Sequence, residues 1–184
     1  MKPEHVLDSC IFELRKMKQR ADRALDQVAR EDLFRKLDPN SNSLAEVMKH
    51  VGGNLRSRWT DFLNTDGEKA ERNRDAEFVA GETDTPDSLR QNWESGWGCL
   101  FETLRNLKPE DMDRTVPIRG ETHSVIEAIH RTMTHSASHV GQIIYLAKLF
   151  AGPRWKTLTV PRGQSEQYTA AMVQKAGSGY VSKS

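Results

Sequence analysis

Only two cysteines, Cys10 and Cys99, occur in the 184 residues of the chain. They lie far apart in apolar helical stripes. No disulfide framework is therefore expected, and both read as reduced core residues, since buried free cysteine behaves as a small hydrophobe. An excess of charge of one sign is also missing. The 27 basic and 26 acidic side chains leave a formal net charge of +1, which argues against a nucleic-acid clamp or a polybasic membrane binder. No run approaches the ~20 apolar residues of a membrane span. The opening stretch MKPEHVLDSCIFELRK lacks the apolar region of a secretory signal, so a cytoplasmic chain is the expectation. No phosphate-cradling or dinucleotide-type glycine pattern is present, no serine–histidine–acid or cysteine-nucleophile arrangement stands out, and no internal repeat is visible.

Helical periodicity is what the chain does have. Apolar or small residues recur at Leu7, Cys10, Leu14, Met17, Ala21, Leu25 and Val28, which predicts a first helix from Pro3 or Glu4 to the turn at Asp38-Pro39-Asn40. Ser43 followed by Glu46 is a capping-box signature for a second helix with the stripe Leu44, Val47, Met48, Val51, Leu55, Trp59 and Phe62. Gly52 and Gly53 interrupt it at a cost of about 1 kcal/mol each relative to alanine. Two compatible reasons present themselves: close packing of a neighbouring helix, or space cleared beside His50. Residues 65–84 read as a long, polar surface crossover, unusual in a compact domain and expected to hold some structure or function. Thr85-Pro86 then opens a third helix carrying Leu89, Trp93, Trp97, Leu100, Leu104 and Leu107, with the tryptophans read as core. TVPIRGETHS predicts a short hairpin turning at Arg119-Gly120. A fourth helix runs from about Ser124 to Ala151 and is stopped by Gly152-Pro153, and Ser165 is the expected N-cap of a short last helix. The sum is an all-α four-helix bundle over residues 3–152, with a C-terminal extension over 153–184, in a single domain of 1–184. The long connection between the second and third helices would allow those two to run parallel.

Three histidines carry the chemical information. His135 and His139 are four residues apart in THSASHVGQIIYLAKLF, so both imidazoles leave one face of the fourth helix. At ~100° per residue they lie on the flank of the apolar stripe, at the edge of a cleft. Ser136, Ala137, Ser138 and Gly141 around them are small and leave room for an ion and a substrate. His50 lies off the centre of its own stripe on the second helix, as a cleft-edge or surface residue would. If the two helices pack together, three neutral imidazoles converge on one divalent metal with a position left open, the arrangement of a catalytic site. With no other nucleophile in view, any reaction is expected to run through that ion. Asn54, one turn beyond His50, either hydrogen-bonds water on the ion or caps a polar surface. Gln142, three residues after His139, can hold that histidine from behind. Arg162 would meet an anionic substrate if the tail folds over the cleft, and is otherwise a surface residue. His5 reads as solvated, His123 lies in the turn before the fourth helix, and His130 on that helix points about 140° away from His135.

A histidine on the second helix followed, after a long interval, by H-x-x-x-H-x-G-Q on the last bundle helix resembles the DinB/YfiT-like superfamily of metal-binding four-helix bundles. The matching residues are His50, His135, His139, Gly141 and Gln142. HVGGNLRSRWTDFLNTDGEKAERNRDAEF and HVGQIIYLAKLFAGPRWKTLTVPRGQSEQY are similar to an uncharacterised branch of it. The resemblance implies an up-down-down-up bundle with a long crossover between helices 2 and 3. It implies one divalent ion, zinc or nickel, on the three histidines, and a homodimer. It also implies a metal-dependent transferase or isomerase using a low-molecular-weight thiol such as bacillithiol, mycothiol or glutathione. Many relatives carry H-x-x-H-H-R-G-Q, whereas this chain has Ser138-His139-Val140 and lacks that arginine. The favoured expectation is a metal-dependent enzyme that activates a thiol or water for attack on a small electrophile. It would have no nucleic-acid or membrane partner. The alternatives are a non-catalytic metal-binding stress protein and an interaction module docking through the charged segment 66–74, with Arg72 and Arg74 as contacts.

Overall fold

The computed structural model describes residues 3–177. Residues 1, 2 and 178–184 of the expected 1–184 domain lie outside the described residues. The protein is mostly helical, with α1 (Pro3–Leu25), α2 (Leu44–Trp59), α3 (Pro86–Asn106), α4 (Val125–Ala151) and α5 (Ser165–Gly177). A two-stranded antiparallel sheet, β1 (Thr115–Ile118) with β2 (Glu121–Ser124), departs from a purely helical class. It is the hairpin expected from TVPIRGETHS, with Thr115 opposite Ser124 and Ile118 opposite Glu121. Arg119 at φ 57° and Gly120 at φ 75° make the two-residue turn with both residues left-handed, the conformation that matches strand twist.

Helix starts follow their capping residues. Ser43 Oγ accepts from the backbone N–H of Glu46 at 3.2 Å, and Glu46 Oε2 accepts from the N–H of Ser43 at 2.8 Å. Thr85 and Ser88 form the same reciprocal pair ahead of α3, as do Ser124 and Glu127 ahead of α4. Such a cap is worth about 1 kcal/mol. α1 ends at Leu25, well short of the expected stop before Asp38. Its last turn tightens into bonds from Gln27 N to Ala24 O and Val28 N to Leu25 O. A 3-10 turn at Arg30–Phe34 then places Leu33 in the core, so the apolar pattern continues after the helix has stopped. α5 begins at Ser165 itself, one residue earlier than a cap at that position allows.

α2 and α3 pack most closely. Gly96 lies on Gly52: a Cβ at Gly96 would come within 2.7 Å of Gly52 Cα. On either side of that contact, Asn92 donates to Lys49 O at 3.2 Å and Thr103 Oγ1 to Trp59 O at 2.8 Å. Residue numbers on the two helices therefore rise together. α1 meets α3 in the opposite sense, through Lys18–Glu94, Asp22–Trp93 and Asp26–Arg90. Trp59, Trp93 and Trp97 are fully buried at the centre. For α3 to run beside α2 in the same sense, the chain must return about the length of α2, roughly 24 Å, which accounts for the long connection through residues 60–85. Asp66 in that connection accepts from the backbone N–H groups of Arg119 and Gly120, each at 2.8 Å, tying the crossover to the hairpin turn. Among the described residues, no helix is long and apolar enough to cross a membrane.

Candidate metal centre

α2 and α4 bring His50, His135 and His139 together, with one ligand nitrogen from each within 4.8 Å of the others. His50 Nε2 lies 3.1 Å from His135 Nε2. Two donors on a tetrahedral zinc at about 2.05 Å are about 3.3 Å apart, so this edge is already of the right size. His135 and His139 are half-buried on the flank of α4, at the cleft edge where their spacing puts them. His50 is not at an edge: it is only 3% exposed. The crossover covers it, with the Phe78 ring stacked on the imidazole at 4.5 Å between centroids.

Hydrogen bonding behind the rings sets which nitrogens face inward. Glu77 Oε2 lies 2.9 Å from His50 Nδ1. A carboxylate only accepts, so Nδ1 carries the proton and Nε2 presents its lone pair. Gln142 Oε1 lies 2.9 Å from His139 Nδ1 and orients that ring in the same way. His135 Nδ1 is buried without a hydrogen-bond partner. Burial, reinforced by the neighbouring His139, His50, Arg58 and Arg72, pushes the His135 pKa down to about 3. Burial likewise lowers that of His139. Neutral imidazoles with lone pairs converging on one point are the form that binds a divalent cation. The residues present fit such an ion, and three imidazoles suit several divalent metals alike.

Glu77 is held in turn. Arg72 Nε donates to its Oε1 at 2.8 Å and Arg72 Nη2 to its Oε2 at 2.8 Å, while Arg72 Nη1 reaches Glu68 at 3.1 Å. Burial acts to raise the Glu77 pKa, but the bonds from His50 and Arg72 and the charge of Arg72 outweigh it and the net shift is downward. Gly53 faces this carboxylate: a Cβ there would collide with Glu77 Oε1. The two adjacent glycines thus divide the two expected roles, Gly52 for helix packing and Gly53 for space beside the His50–Glu77 pair.

A cavity of about 370 Å³ opens beside the histidines, lined in part by His50, His135, Asn54, Arg58, Thr132 and Ser138. Asn54 is buried on this wall and Gln142 sits behind His139, both at the centre. Arg162 is exposed and is not among the residues lining the cavity. Arg72 is not an exposed docking charge either, because its side chain is 5% exposed and committed to Glu77 and Glu68. His5 and His130 are exposed, and His123 bonds the Glu121 backbone and Arg131. Sequence reasoning missed Glu77, Phe78 and Arg58, and gave Arg72 a docking role in place of the carboxylate-holding one it has. The available signals were the length of the polar crossover and, for Arg58, a charge at an apolar position seven residues after Val51.

Neither a curated protein nor a solved structure matches the chain. A family model described as a protein of unknown function (DUF1572) matches residues 2–164, taking in all three histidines, Glu77 and the whole cavity wall. The chain belongs to that family.

Proposed function

We propose that the protein is a metal-dependent enzyme that holds one divalent ion, zinc or nickel, on His50, His135 and His139. The observation that carries this reading is the inward convergence of the three imidazoles, two of them oriented by Glu77 and Gln142. A carboxylate–histidine pair behind a ligand is the usual device for fixing tautomer and raising ligand basicity. The adjoining cavity favours an open catalytic site over a closed structural one, since closed sites supply four protein ligands. A bound divalent ion would acidify a thiol or water beside it and so supply a nucleophile near neutral pH. The chain's own residues would keep His135 and His139 neutral, cover His50 with Phe78 and leave the α4 side open to a small molecule.

The substrate pair is a low-molecular-weight thiol and a small electrophile, in keeping with the DinB/YfiT-like resemblance. The helix pairings support the up-down-down-up arrangement of that superfamily: α2 runs with α3, and both α3 against α1 and α2 against α4 run oppositely. Exposed apolar residues Tyr145 and Leu149 on α4 and Tyr168 and Met172 on α5 are in keeping with a homodimer. The test is an S-transfer assay on zinc- and nickel-loaded protein, with glutathione, bacillithiol and mycothiol against a panel of small electrophiles. Turnover that disappears in the His135→Ala/His139→Ala double variant is expected. Equal rates in the two proteins would overturn the assignment.

A further inference from the structure

Metal binding leaves one charged group of the cavity unexplained. Arg58 lies two turns along α2 from His50 and is 5% exposed. Among the described residues, none of its five N–H donors has an acceptor and no carboxylate lies within ion-pair distance, and its Nε is sealed from solvent. The acid whose charge acts on it, Glu68, is taken by Arg72 at 3.1 Å and Arg119 at 3.2 Å. Burial, with the repulsion of Arg131, Arg72 and Arg119, lowers the Arg58 pKa to about 10, so the guanidinium is still charged at neutral pH. Burying an unpaired cation is costly, and a protein keeps one only where something compensates it.

The surroundings identify the compensating group. Arg74, Arg119 and Arg131 line the same cavity. Each already has a partner: Arg74 meets Asp75 and the Phe78 ring, Arg119 meets Glu68, and Arg131 meets Glu121 and His123, and all three side chains are about half-exposed at the rim. Asn54, one turn before Arg58 on the same wall, is 7% exposed, and its side-chain amide makes no hydrogen bond among the described residues. An unpaired guanidinium fork and an unpaired amide on one wall, under a rim of three arginines, match a compact oxyanion. We infer that this cavity binds the carboxylate or phosphate of the substrate, with Arg58 as the principal anchor and Asn54 as its second donor. The anion site itself needs no ion. Only its assignment to the substrate of the centre rests on the metal-enzyme reading.

Isothermal titration of the metal-free full chain with inorganic phosphate and with acetate, at constant ionic strength, tests the site. Saturable binding of at least one is expected, weakened about tenfold or more by Arg58→Met. It should be weakened also by Asn54→Leu, a second variant that guards against misfolding of the first. Arg162→Met should bind as the wild type does. The tighter of the two anions names the charged group. Binding that survives in the His135→Ala/His139→Ala variant separates this site from the metal ligands, and unchanged metal content in Arg58→Met separates the two readings in the other direction. No saturable binding of either anion, or equal binding in the wild type, Arg58→Met and Asn54→Leu, would overturn the inference.

Discussion

Glu77 Oε2 lies 2.9 Å from His50 Nδ1, across 27 residues of chain. That bond ties the crossover to the three-histidine cluster: the segment that covers α2 also sets the tautomer of the histidine beneath it. Arg72 holds the carboxylate from the other side through two bonds.

Removing the charge of Glu77 should therefore weaken metal binding without removing a ligand. Glu77→Gln is expected to lower zinc affinity about 10–100-fold, read by competition with a chromophoric chelator. Gln142→Leu should act in the same direction on His139. Wild-type affinity in both variants would show that the bonds behind the rings do not orient them.

The glycines of α2 separate stability from binding. Gly52→Ala and Gly96→Ala force a methyl group against the facing helix backbone, and each should destabilise by about 1–3 kcal/mol in urea unfolding. Gly98→Ala, with nothing within 4 Å, should be neutral or stabilising by up to about 1 kcal/mol. Gly53→Ala displaces Glu77 and should weaken metal binding as well. A Gly96→Ala variant as stable as Gly98→Ala would contradict the close helix contact.

Much of this architecture is legible in the sequence, for local reasons. Ser43 with Glu46 and Thr85 with Pro86 mark helix starts through bonds made within three residues. Arg119-Gly120 marks the hairpin, and the four-residue step from His135 to His139 marks a shared face. What escapes is non-local. Leu25, Val28 and Leu33 continue an apolar pattern through a 3-10 turn, so periodicity carries α1 past its end. Glu77 and Arg72 look like solvated loop charges until the crossover folds onto α2. Arg58 falls on the apolar face of its helix, seven residues after Val51 and three after Leu55, but an arginine there reads as a charge reaching out to solvent until the covering segments make it a buried cation.

The depressed histidines fix a pH dependence for the metal-free protein. Folded His135 titrates at about 3 against an ordinary 6.5. Between those values the unfolded chain binds more protons, so stability is full above about pH 6.5 and falls as the pH drops below it. Urea midpoints at pH 7.5 and 5.0 should show this loss, and His135→Gln should make it smaller. A wild-type loss no larger than that of His135→Gln would contradict the burial of a neutral imidazole.

Three histidines from two helices, each presenting a nitrogen to one point, are expected to hold one ion. Elemental analysis of untagged protein, incubated with zinc and with nickel and then desalted, tests this directly beside the His135→Ala/His139→Ala variant. About one ion per chain in the wild type and none in the variant is the predicted result. No retained ion in the wild type, or the same content in both, would contradict the account.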